Sequence, residues 1–151
     1  HTPETVRQLL AFAPDTVCLH DEAEAPSGLP CLRYPEAPAA VDAPFSMPQI
    51  PGDRIAAYVF TSGSTGAPVP HAKRWGALVR NALAEAERLG LDRQGHAIVG
   101  TVPGQHMYGF ESTVLLSLFG NCAAWSGRPF YPADIAAVLA AVPRPRLLVT
   151  T

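Results

Sequence analysis

Apolar positions change period along the chain, and each change marks an element. Near the start, Val6, Leu9, Leu10 and Phe12 recur at helical steps behind Thr2 and Pro3, which suit an N-cap and a first helical position. Pro14 ends that pattern, and residues 16–19 read as a short strand. Residues 55–60 form a continuous apolar run of strand length, as expected for a strand covered on both faces. From Lys73 onward, Trp75, Leu78, Val79, Ala82, Leu83, Ala86 and Leu89 recur every three or four residues and predict the best helix, closed by Gly90. Residues 97–102 predict a strand, 110–119 an apolar helix ended by Gly120, and 121–125 another strand. Residues 132–142 predict a helix between Pro132 and Pro143, and 147–149 a last strand. Such alternation predicts an α/β fold: a mostly parallel sheet with crossover helices. No internal repeat is visible.

Proline interrupts this pattern once. Seven prolines fall within residues 26–51. Each lacks a ladder donor, so the stretch reads as a loop or wrap-around segment with at most edge strands. The chain thus divides into a helix–strand lead-in at 1–25, a proline-rich connecting segment at 26–54 and an α/β portion at 55–151.

Composition narrows the class. Of 151 residues, 48% are hydrophobic and 16% charged, which excludes disorder over the whole length. Eleven basic and 13 acidic residues leave a net charge of −2, so no basic surface is available for nucleic acid. The longest near-continuous apolar run, at 135–142, is far short of the roughly 20 residues of a membrane span. The opening His1-Thr2-Pro3-Glu4 shows no signal-peptide pattern, and a cytoplasmic location is expected. Cys18, Cys31 and Cys122 form an odd set without a C-x-x-C pair; they read as reduced thiols, with metal or disulfide roles as the alternatives. The five histidines have no zinc-site spacing, so no metal ligand set is assigned.

The candidate chemistry lies after the 55–60 run. Thr61, Ser62, Gly63, Ser64, Thr65 and Gly66 stand between an expected strand and an expected helix. The glycines permit a tight turn and close approach of backbone to a ligand, and the hydroxyls can donate to phosphate oxygens. Consecutive N–H groups in such a turn form an anion-binding nest. It is not a Walker A loop, because only two residues separate its glycines and Ala67 follows the second.

The run Tyr58-Val59-Phe60-Thr61-Ser62-Gly63-Ser64-Thr65-Gly66-Ala67-Pro68 resembles the phosphate-binding signature of the adenylate-forming (AMP-binding) superfamily. That superfamily includes acyl-CoA synthetases, aryl-acid ligases, luciferases and peptide-synthetase adenylation domains. About forty residues on, Pro103-Gly104-Gln105-His106-Met107-Tyr108-Gly109 resembles the same family's proline and His-x-x-Gly motif. The pair is more specific than either motif alone. The resemblance implies part of the large N-terminal domain of an adenylate-forming enzyme, with Ser62 to Gly66 holding ATP phosphates and His106 at the wall between the acid pocket and the thiol tunnel. It implies a carboxylic acid as substrate, ATP with Mg²⁺, an acyl-adenylate, and CoA or an acyl carrier protein as acceptor. Such chemistry calls for positioning and charge neutralisation rather than a protein nucleophile. Trp75, Trp125, Tyr108 and Phe110 are available to line an aromatic pocket, with Trp75 better suited to the core.

Two departures qualify the resemblance. Val69 stands where the family usually has a lysine. The next cation, Lys73, is expected at the helix start beside Arg74. Either Lys73 reaches back to the phosphates or the loop works without a close lysine. The family's later motifs and its C-terminal catalytic lysine do not occur, and the sequence stops inside an expected strand at Val149-Thr150-Thr151. The expectation is therefore a fragment, inactive alone, whose partner is the remainder of its own polypeptide. A non-catalytic nucleotide- or anion-binding module and a partner-docking fragment are the rival readings.

Overall fold

The computed structural model describes residues 2–34, 46–61, 69–91 and 93–151. Contacts divide the chain into two units, His1–Met47 and Pro48–Thr151.

In the first unit, α1 (Pro3–Phe12) starts as its sequence predicts. The Thr2 hydroxyl accepts from the Thr5 N–H, and Pro3 occupies the first turn. Of its apolar face only Val6 is buried; Phe12 is exposed. Helical spacing alone thus overstated what this short helix packs. Strands β1 (Cys18–His20) and β2 (Cys31–Arg33) pair in parallel, in register Cys18↔Cys31, Leu19↔Leu32 and His20↔Arg33. The β2 strand lies inside the proline-rich stretch.

The second unit opens on a hairpin. Strands β3 (Ile55–Thr61) and β4 (Val69–Arg74) pair antiparallel, with Thr61 opposite Val69 and Ala57 opposite Lys73. This corrects two expectations. Ile55, Tyr58 and Phe60 are exposed rather than covered on both faces; among the described residues β3 pairs with β4 alone. Lys73 lies in the β4 strand, not at a helix start. Pairing with β3, which sets Lys73 opposite Ala57, keeps the chain extended until Trp75. Helix α2 (Trp75–Leu89) then begins against the preceding turn: the Trp75 N–H donates to Arg54 O and the Gly76 N–H to Gly52 O, both at 2.8 Å. A side chain at position 76 would lie 3.0 Å from the Gly52 backbone. Gly90, at φ +69°, closes the helix, and the Leu91 N–H turns back to Ala86 O.

The parallel sheet follows. Its strands are β5 (His96–Gly100), β6 (Cys122–Ala124) and β7 (Arg146–Val149), in spatial order β6-β5-β7. The β5–β6 connection runs through α3 (Met107–Gly109), a π-helical stretch at Phe110–Leu115 and α4 (Leu116–Phe119); the β6–β7 connection runs through α5 (Pro132–Ala141). Central β5 is the strand buried on both faces. Ile98 packs with Ala86, Leu91, Leu116 and Val149. Ala97 and Val99 pack with Val142, Val138 and Leu139 of the α5 side. The second unit is therefore mixed α/β: a small parallel sheet between helices, plus an antiparallel hairpin where parallel pairing was expected. Among the described residues no helix is long and apolar enough to cross a membrane.

Candidate functional site

Within the second unit, β3 and the His106 segment share a cleft of about 380 Å³ lined by Ala57, Tyr58, Val59, Phe60, Gly104, Gln105, His106 and Phe110. The two motifs lie some forty residues apart in sequence, and the fold brings their flanks together. Thr61 is the last residue of β3, so the strand ends where the hydroxyl-rich run begins in sequence. Ser62, Gly63, Ser64, Thr65 and Gly66 lie outside the described residues.

The His106 segment is held by its backbone. The His106 N–H donates to Pro103 O at 3.0 Å, and His106 O accepts from the Phe110 N–H at 2.8 Å as α3 begins. Gly109 explains the spacing of the motif. A Cβ there would lie 2.8 Å from the Pro103 carbonyl carbon and 2.9 Å from Val102 O, so only glycine lets the helix turn against this strand exit. The imidazole of His106 is exposed at the cleft. Past Gly109 the helix widens into its π-helical stretch, where the Thr113 hydroxyl donates back to Gly109 O and the Ser117 hydroxyl to Thr113 O. Ser112, buried, donates to Glu85 of α2 at 2.7 Å and ties this wall to the long helix.

A second cleft, about 390 Å³, opens past the carboxyl ends of β5 and β6, with Gly100, Thr113, Val114, Trp125 and Arg128 among its lining. Gly104 lines both clefts, so the turn after Pro103 is the partition between them.

The comparisons with known proteins point the same way over part of the chain. No known family profile matches the sequence. The 4-coumarate–CoA ligase of Rhodobacter capsulatus is 41% identical over 64 residues, which is 42% of this chain and 17% of that enzyme. The 4-coumarate–CoA ligase of Halorhodospira halophila is 43% identical over 56 residues, 37% of this chain and 14% of that enzyme. The matched stretch thus spans less than a fifth of either relative. The chain is similar, over that stretch, to acid–thiol ligases.

The aromatic candidates disperse. Phe110 lines the first cleft and Trp125 the second. Trp75 stacks edge-on against Phe119, ring centroids 5.6 Å apart, as suits a packing role. The Tyr108 hydroxyl reaches Thr150 O at 3.5 Å. Tyr58 and Gln105 were absent from the candidate residues, yet both line the first cleft. Tyr58 sits in an unbroken apolar run, whose pattern predicts burial, and only its polar hydroxyl signals a lining role. Lys73 stands four residues along β4 from Val69, about 13 Å of extended chain. Among the described residues no group of three or more His, Cys, Asp or Glu side chains could hold a metal ion.

Proposed function

We propose that this chain is part of an AMP-forming acid–thiol ligase, which activates a carboxylic acid with ATP as an acyl-adenylate and passes it to a thiol of CoA or an acyl carrier protein. The observation that carries this reading is the shared cleft: the strand leading into the hydroxyl-rich loop and the His106 segment line one wall system. The partial similarity to two CoA ligases supports it independently.

In this reading Thr61, Ser62, Gly63, Ser64, Thr65 and Gly66 grip the β- and γ-phosphates of MgATP through backbone N–H groups and hydroxyls, which suits an anion that must be held and then released. Mg²⁺, when bound with ATP, would supply charge neutralisation for the phosphates, with no protein carboxylate cage assigned to it. His106 stands at the partition, with the acid on one side and the acceptor thiol on the other. Lys73 is the remaining candidate cation. The ribose and α-phosphate contacts come from the remainder of the polypeptide, so the 151 residues alone do not turn over.

The test is acid-dependent ATP–pyrophosphate exchange. The full-length enzyme is expected to catalyse it with aryl or acyl acids, and the isolated chain is not. Robust exchange by the 151-residue chain would overturn the fragment reading; no exchange by the full-length enzyme with any acid would overturn the ligase reading.

A further inference from the structure

Cys18 and Cys31, twelve residues apart in the intervening loop count, are brought face to face by the parallel pairing of β1 and β2. They are the first rung of that ladder, and both are partly buried. In-register neighbours on adjacent strands have side chains on the same face and Cα atoms about 4.8 Å apart, inside the range a disulfide spans. Cys18 is a near enough neighbour to push the Cys31 thiol up. The Cys31 thiol also approaches Leu29 O at 3.2 Å and Pro26 O at 3.5 Å, which holds it in place beside its neighbour.

We infer that Cys18 and Cys31 are a redox modification site, closing reversibly to a disulfide that clamps β1 to β2 and closes the segment 19–30 into a ring. The oxidant is a low-molecular-weight disulfide. One cysteine thiolate attacks a sulfur of that disulfide, forming a mixed disulfide and releasing one small thiolate. The second cysteine thiolate then attacks the protein sulfur of the mixed disulfide and expels the other small thiolate. Two protein thiols are oxidised, one small disulfide is reduced to two thiols, and the two protein protons pass to the leaving thiolates.

Partial burial and the neighbouring Cys18 raise the Cys31 thiol above its ordinary range.

The experiment uses the whole reduced chain and oxidised glutathione as the probe, followed by alkylation, intact mass and digestion with a glutamate-specific protease. Glu22 and Glu24 lie between the two cysteines, so cleavage there separates their peptides unless a disulfide joins them. The expected product has lost the mass of two hydrogens before alkylation and gains a single alkyl group, on Cys122, after it. It carries Cys18 and Cys31 in one joined pair of peptides, and it exceeds the mixed disulfide by about tenfold or more, since the second thiol is already in place. Dithiothreitol should restore the starting mass. Cys122→Ser should leave the product unchanged, and Cys18→Ser should abolish it. Stable glutathione adducts on Cys18 or Cys31, a crosslink through Cys122, or no reaction would each overturn the inference. The wild-type and Cys122→Ser mapping decides it even if Cys18→Ser fails to fold.

Discussion

Gly109 lies directly against the Pro103 carbonyl, and that contact is the structural meaning of the spacing between the proline and the glycine of the His106 segment. The backbone at Gly109 is ordinary right-handed helix, φ −64° and ψ −35°, so conformational freedom is not what requires glycine there. Space is the requirement. A single methyl would meet the Pro103 carbonyl carbon at 2.8 Å and Val102 O at 2.9 Å, both of them backbone.

Gly109→Ala should therefore destabilise the second unit by about 1–3 kcal/mol, the usual cost of forcing extra volume into a packed site. Gly90→Ala offers the contrast. At φ +69° a Cβ there has open space around it, and the cost is the left-handed backbone, about 1–2 kcal/mol. Urea denaturation of both variants measures the sums. Only Gly109→Ala should also change the chemical shifts of His106, because only it displaces the segment that carries the imidazole.

Ile98 is fully buried at the centre of β5, packed with Leu91, Leu116 and Val149. Ile98→Ala should cost about 2–5 kcal/mol. Equal loss from truncating a β3 residue such as Ile55, which is 42% exposed, would contradict the placement of the core on β5.

The loop glycines and Lys73 separate two ways of holding phosphate. On the proposed ligase reading, Gly63→Val or Gly66→Val in the full-length protein should reduce ATP use at least about tenfold, on the order of 1.4 kcal/mol. Lys73→Ala should change it less than about twofold, since about 13 Å of strand separates Lys73 from the loop exit at Val69. A large loss on Lys73→Ala, with circular dichroism unchanged and a weaker salt dependence of ATP binding, would make Lys73 the replacement for the missing lysine.

Burial pushes the Cys122 thiol up, and a backbone hydrogen bond involving His96 only partly offsets this. A raised thiol pKa favours the neutral form, so the reactive thiolate is scarce at neutral pH and grows as pH rises. In a Cys18→Ser/Cys31→Ser background, iodoacetamide should modify Cys122 more slowly than a free cysteine at pH 8, with the rate climbing steadily toward pH 10. A rate already level at pH 7 would contradict the burial.

Local spacing was enough for the elements whose boundaries depend on their own residues. Gly90 ends α2 because no other residue takes its φ so readily, and Thr2 with Pro3 starts α1 by supplying an acceptor and a preset φ. The strand–helix order from residue 96 to residue 149 was legible for the same reason. The spacing between Pro103 and Gly109 is local too, since one backbone contact sets it. What spacing left open depends on partners far away in sequence. An apolar run reads alike whether it is covered on two faces or on neither, and only packing assigned the core to Ile98 rather than to Phe60. Lys73 went to a strand because its pairing partner is Ala57, and Cys18 met Cys31 because a parallel ladder set their register. Residue type and period determine which local conformations are cheap; which faces are then buried, and which side chains meet, is decided by long-range pairing that no local window contains.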